Sequence, residues 1–117
     1  MSFILANEAK EFRRAFQISN SSTARPVQKS LIDEEWSEFH EAYHHEPRDH
    51  VLKELADLVY VCFQYAENEG WDLPEALERV HRSNMSKLGE DGKPVLRGDG
   101  KVLKGPNYEE PYLGDLI

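Results

Sequence analysis

Apolar residues recur at spacings of three and four in four separate stretches of the chain, a pattern that predicts four amphipathic helices. The first, about Phe3 to Ile18, carries Ile4, Leu5, Ala9, Phe12 and Phe16 on one stripe. The polar, breaker-containing segment from Ser19 to Pro26 separates it from the second. Pro26 is tolerated in a first helical turn, so a second helix over about Val27 to Tyr43 follows, stopped by Pro47. The third runs from a cap at Asp49 or His50 to about Glu69, with Gly70 as a left-handed stop. The fourth has the clearest start: Asp72-Leu73-Pro74-Glu75 offers a capping aspartate, a proline in the first turn and a glutamate three residues after the cap. It should continue to about Lys87 or Leu88.

Beyond Gly89 the helical period disappears. Lys93 to Arg97, then Gly98-Asp99-Gly100, then Lys101 to Lys104 reads as a small β-hairpin or an ordered loop of that shape. No internal repeat or low-complexity tract interrupts the 117 residues. The fold class expected is all-α: a four-helix bundle with a short C-terminal β-hairpin or ordered tail. One domain should span residues 1–117, with a helical core over about 3–88 and a tail over about 89–117.

Two acidic motifs break the apolar stripes. Glu34-Glu35-Trp36-Ser37-Glu38 lies in the second helix and Glu54-Leu55-Ala56-Asp57 in the third. On a projection of about 100° per residue, Glu35 falls about 40° from Leu31, inside the apolar arc, and Glu38 about 20° away on the other side. Glu54 projects between Val61 and Tyr65, with Asp57 at the border of its arc. Residues three apart are surface neighbours on a helix, so each helix presents two carboxylates to one point. A single such pair is ordinarily solvated decoration, the reading given to Glu34 and Glu41. Two pairs with two members in apolar stripes require a cation, because buried unpaired carboxylates are costly. Oxygen ligands without nearby Cys or well-placed His suit Mg²⁺ or Mn²⁺ rather than zinc.

The fourth helix has its own intrusion. Asn84 follows Val80 on the apolar face and Lys87 follows three residues later. Lys87 can snorkel from a helix end and Asn84 can cap it. The functional alternative is that Lys87 neutralises phosphate charge and Asn84 hydrogen-bonds at a reacting centre.

Composition narrows the remaining classes. A formal net charge of −8 opposes a protein that grips a nucleic-acid polymer, which needs a basic face. A small phosphorylated ligand is compatible, because cations held by the carboxylates reverse the local field. No apolar run approaches the roughly 18–20 residues of a membrane span, and Phe3-Ile4-Leu5-Ala6 lacks the flank and length of a signal peptide. The expected location is the cytoplasm, with no membrane partner. Cys62, among Val59, Val61 and Phe63, reads as a structural thiol. His40, His44, His45 and His50 have zinc-compatible spacing but project away from the apolar arc and read as solvated.

Taken together, these motifs resemble the MazG-like all-α nucleoside triphosphate pyrophosphohydrolases, related to dimeric dUTPases and phosphoribosyl-ATP pyrophosphohydrolase. The EExxE…ExxD signature stands here at Glu34 to Glu38 and Glu54 to Asp57. Arg82-Ser83-Asn84-Met85-Ser86-Lys87 is similar to the Asn/Lys segment of the small members. Asp91 to Lys101 and Lys104-Gly105-Pro106-Asn107-Tyr108 are similar to their lysine-bearing C-terminal segment. The resemblance covers about Leu31 to Tyr112.

The resemblance implies hydrolysis of a nucleoside triphosphate to a monophosphate and pyrophosphate. It implies Glu35, Glu38, Glu54 and Asp57 as ligands of Mg²⁺, with Mn²⁺ as a substitute, and Glu35 as a candidate base toward water. Asn84 and Lys87 would meet the sugar and phosphates. Lys93, Lys101 or Lys104 would close over them from a glycine-rich tail, against the alternative that they are surface lysines. Phe12, Phe16, Trp36 and Tyr108 are aromatic candidates for stacking on the base, against a core role. The third helix is apolar around more than half its circumference, which suggests a homodimer or homotetramer, as the resemblance also implies. Phosphoribosyl-ATP pyrophosphohydrolase and a non-catalytic metal- or nucleotide-binding helical module are the rival functions.

Overall fold

A computed structural model describes residues 2–117, with side chains from Ile4 onward. Its elements in order are α1 (Ser2–Ala15), α2 (Arg25–His45), α3 (Arg48–Glu69), α4 (Leu73–Met85), β1 (Val95–Leu96), β2 (Val102–Leu103) and a 3₁₀ turn (Gly114–Leu116). The protein is thus all-α, with four helices and a short C-terminal hairpin, as the apolar periodicity requires. None of the described helices is long and apolar enough to cross a membrane. Two compact units divide the chain, the first ending at Leu73 and the second running Pro74–Ile117.

In the first unit, α1 and α3 end in the same way. Gln17 turns to φ 56, and the N–H of Ile18 reaches back to the Arg13 carbonyl at 2.8 Å. At the end of α3, Gly70 takes φ 72 and Trp71 N–H bonds the Ala66 carbonyl at 3.0 Å. Both are left-handed closures in which the last turn's carbonyls find donors beyond the helix. The first helix therefore stops before Ile18, since a non-glycine residue supplies the stop. Helix α2 begins at Arg25 with Pro26 in its first turn, earlier than Val27, and extends to His45 because Glu46 N–H still bonds the Ala42 carbonyl.

Helices α2 and α3 form an antiparallel pair, tied at one end by Arg25 to Glu69 at 2.6 Å. Along their seam Gln28, Glu35 and Ala42 stand two turns apart on α2. Ala42 is fully buried and has no side chain to hold the helices apart. Helix α1 packs on the other side of α3, where Ala9, Phe63 and Ala66 are buried. A polar cross-link reinforces that contact. The buried Arg13 guanidinium donates to Asn20 Oδ1 at 2.7 Å, Gln64 Oε1 at 3.3 Å and Asn68 Oδ1 at 2.9 Å. Asn68 in turn holds Ser21 through both its backbone groups, fixing the loop between α1 and α2.

In the second unit, α4 ends at Met85, before Lys87. Ser86 N–H bonds the carbonyls of Arg82 and Ser83, and its hydroxyl donates to the Ser83 carbonyl at 2.6 Å. The serine side chain thereby competes with continuation of the helix. The hairpin pairs Val95 with Leu103 and Leu96 with Val102 in antiparallel register. Its turn uses Gly100 at φ 88 and is closed by Asp99, which accepts from Arg97 and from Lys101 N–H.

Candidate metal centre

The two acidic motifs meet across the α2–α3 seam. Glu35, Glu38 and Glu54 each offer a carboxylate oxygen, and these oxygens all lie within 4.8 Å of one another. Glu35 and Glu54 are half-buried, Glu38 is exposed, and Glu34 faces solvent outside the group. Glu35 Oε2 and Glu54 Oε2 are buried without a hydrogen-bond partner. Buried carboxylate oxygens left unpaired cost several kcal/mol unless a proton or a cation compensates them. The donor set is all oxygen, which fits a hard divalent cation such as Mg²⁺ or Mn²⁺.

Protonation shows the same strain. Burial, followed by the hydrogen bond and charge of Glu38 and the charges of Asp57 and Glu54, pushes the Glu35 carboxyl up to about 7. Two or more carboxylates confined at this spacing cannot all ionise cheaply.

Asp57 behaves differently from its three companions. Its charge is felt at Glu35, yet its Oδ2 is engaged by Lys53 at 2.6 Å, one turn earlier on α3. Lys53 also approaches Glu54 at 3.5 Å, and its hydrogen bond and pairing with Asp57, followed by the charge of Glu54, raise its own pKa. Lys53 was not among the sequence candidates. Its i, i+4 relation to Asp57 is the local signal that marks it.

The phosphate-side candidates belong to the second unit. Asn84 is exposed, with its carbonyl accepting from Lys87 N–H at 3.2 Å, and Lys87 is half-buried. Lys93 and Lys101 are exposed on the hairpin arms. Lys104 places its ammonium 4.7 Å from the centre of the Tyr108 ring, a cation–π pair. The remaining aromatic candidates divide. Phe12 is half-buried against Phe16 and Tyr60, with ring centroids 4.6 and 5.6 Å away, whereas Phe16 and Trp36 are largely exposed.

The rival chemistry is weaker in the structure. His40, His44, His45 and His50 are exposed, and none joins a group of three or more metal-ligating side chains among the described residues. Cys62 is half-buried, and burial pushes its thiol up, away from the reactive thiolate.

A comparison with curated proteins returned no match. The model of the family described as phosphoribosyl-ATP pyrophosphohydrolase matches residues 5–84, more than half of the chain and both acidic motifs. The chain accordingly belongs to the phosphoribosyl-ATP pyrophosphohydrolase family, all-α enzymes of the nucleotide pyrophosphohydrolase kind.

Proposed function

We propose that the protein hydrolyses (deoxy)nucleoside triphosphates to nucleoside monophosphate and pyrophosphate, using Mg²⁺ held by Glu35, Glu38, Glu54 and Asp57. The observation that carries this reading is the pair of buried, unpartnered carboxylate oxygens, Glu35 Oε2 and Glu54 Oε2, in a three-glutamate cluster. The ion, when bound, supplies charge neutralisation for phosphate oxygens and acidifies water, with Mn²⁺ as a substitute. Asp57 joins the set by exchanging Lys53 for the cation. Glu35, a ligand inside the apolar seam, is the candidate base toward that water once the cation has displaced its proton. Lys87 and Lys104 provide cations for phosphate oxygens, and Asn84 a hydrogen bond to the sugar or α-phosphate. The reaction is placed in the cytoplasm and requires neither a membrane nor a nucleic-acid polymer.

The family description supports a second substrate, phosphoribosyl-ATP, through the same anhydride chemistry. A panel of ribo- and deoxynucleoside triphosphates and phosphoribosyl-ATP, assayed for pyrophosphate with Mg²⁺ and with Mn²⁺, separates the possibilities. Release from the triphosphates is expected. Release from phosphoribosyl-ATP alone would move the protein to the second reading, and no release from any would leave a non-catalytic binding module.

The active form is proposed to be a homodimer or homotetramer. Leu52, Leu55 and Val59 stand at i, i+3 and i+7 on α3 and are 66%, 43% and 41% exposed, a continuous apolar stripe. No large side chain among the described residues is fully buried, so the core is thin for a chain of this size. A second copy covering the stripe would supply the missing burial. Light scattering of the wild type should give a multiple of 13.5 kDa, and Leu55→Glu with Val59→Glu should shift it toward the monomer. A wild-type monomer at every concentration would refute the assembly.

A further inference from the structure

We propose that Arg79, Ser83 and Gly105 form a clasp that positions Lys104 beside the Lys87 turn for binding the polyphosphate of the substrate. This rests on the proposed role of the two lysines in phosphate binding. None of the three clasp residues carries the chemistry itself. They are positioning residues, and their partners are all in the C-terminal unit.

The first point of the clasp is the backbone at Gly105. Its N–H donates to the Lys87 carbonyl at 2.9 Å, which closes the whole hairpin excursion back onto the end of α4. A Cβ at position 105 would stand 2.6 Å from both the Lys87 and the Leu88 carbonyl oxygens. Those are backbone atoms that cannot swing away, so only glycine permits the approach. Lys104, the residue before it, is thereby held with its backbone against residues 87–88. Tyr108 N–H bonds the Gly105 carbonyl at 3.3 Å, and its ring receives the Lys104 ammonium.

The second point is a pair of serines. Ser83 is buried, and its hydroxyl donates to the Glu109 carbonyl at 2.7 Å. Glu109 N–H donates to Ser86 Oγ at 2.9 Å. Both backbone groups of Glu109 are thus fixed, one to the last turn of α4 and one to the residue that follows it. The third point is Arg79, which grips both oxygens of Asp115 at 2.6 and 3.0 Å and the Tyr112 carbonyl at 3.0 Å. Glu75 braces the guanidinium from the preceding turn at 3.0 Å. The hydrogen bonds from Arg79 hold the Asp115 carboxyl below its usual range. Bidentate guanidinium–carboxylate pairs fix geometry as well as charge.

These bonds change what the tail can do. From Gly105 to Asp115 it is fastened at three levels along α4 and the turn after it, so the freedom that the glycines offer is confined to the hairpin before it. A lysine whose backbone is already placed loses less conformational freedom on binding a polyanion than one on a loose tail. Pre-set placement should therefore appear in binding rather than in the chemical step.

The test is Gly105→Ala, with Asp115→Asn as a second variant that leaves the crowded backbone untouched. Inorganic tripolyphosphate binding is read by calorimetry in Ca²⁺, and nucleotide turnover by steady-state kinetics. Gly105→Ala should weaken tripolyphosphate binding and raise KM about tenfold with kcat within about twofold, and Asp115→Asn should do so by about threefold, as expected when ordering is moved into the binding step. Mn²⁺ affinity of the three-glutamate cluster should stay at its wild-type value, while the unfolding midpoint falls, more for Gly105→Ala than for Asp115→Asn. Unchanged tripolyphosphate affinity in both variants, or a fall in kcat at constant KM, would overturn the clasp. Tripolyphosphate binding that depends on Gly105 in a protein that hydrolyses no nucleotide would retain the clasp and defeat the hydrolase reading instead.

Discussion

Glu54→Gln is expected to reduce pyrophosphate release at saturating Mg²⁺ by about a thousandfold while making the metal-free protein more stable at pH 8. A metal-held charge contributes several kcal/mol to the transition state, and about 1.4 kcal/mol corresponds to a factor of ten in rate. Glu54 Oε2 is one of two buried oxygens in the cluster with no partner inside the protein. In the proposed site its loss removes a ligand from the enclosed side. Without metal the same carboxylate is a liability, since its Oε2 is buried without a partner and its charge adds to the burial and the Glu38 and Asp57 interactions that raise the Glu35 carboxyl. An amide of equal size removes that repulsion and can donate a hydrogen bond to Glu35. The two effects have opposite signs, as expected where a site stores strain for function. Mn²⁺ titration, denaturant unfolding in chelator and turnover, all on one variant, provide the check. Activity near wild type would eliminate Glu54 as a ligand, and reduced stability in chelator would show that its charge is compensated by Lys53 rather than by an ion.

Much of this site was legible in the chain because two periods conflict in it. A 3.6-residue apolar repeat states where a helix will be dry, and Glu35 and Glu54 violate it on both helices that meet. Gly70 and Pro47 were equally plain, since their backbone preferences act locally. What escaped depended on distant partners or on small local competitions. Arg13 has its guanidinium partners Gln64 and Asn68 more than fifty residues away, and nothing in its own helix foretells them. Helix α1 ends on Gln17, which is not a residue type that marks a left-handed stop. Helix α4 ends when Ser86 turns its hydroxyl on the Ser83 carbonyl, a choice that depends on Glu109 arriving nearby. Asp57 lies near enough for its charge to act on Glu35, and the projection did not show that Lys53, one turn earlier, also pairs with it.

That internal competition for charge leads to the second large effect. In chelator, stability should fall as pH rises from about 5 to about 8, and Mg²⁺ should restore it most strongly at the alkaline end. Glu35 has a folded-state pKa of about 7 against about 4.3 for an unfolded glutamate. Below pH 4 both states carry the proton, and Glu35 adds no pH dependence. As pH rises, the unfolded chain releases its proton first while the folded protein retains one, so the unfolded state gains relative stability until the folded group also ionises. The stabilisation is lost through about pH 7. A divalent cation binds the ionised cluster and must displace that proton, so its affinity should rise over the same interval and each binding event should release up to one proton. Bound metal then stabilises by mass action, in proportion to the logarithm of its concentration over Kd. Glu35→Gln isolates the contribution of this carboxyl, because that variant should flatten the chelator profile. Denaturation midpoints between pH 5 and 8, with and without Mg²⁺, and dye-detected proton release supply the measurement. A metal-free profile that Glu35→Gln leaves unchanged would show that the cluster holds no proton at neutral pH.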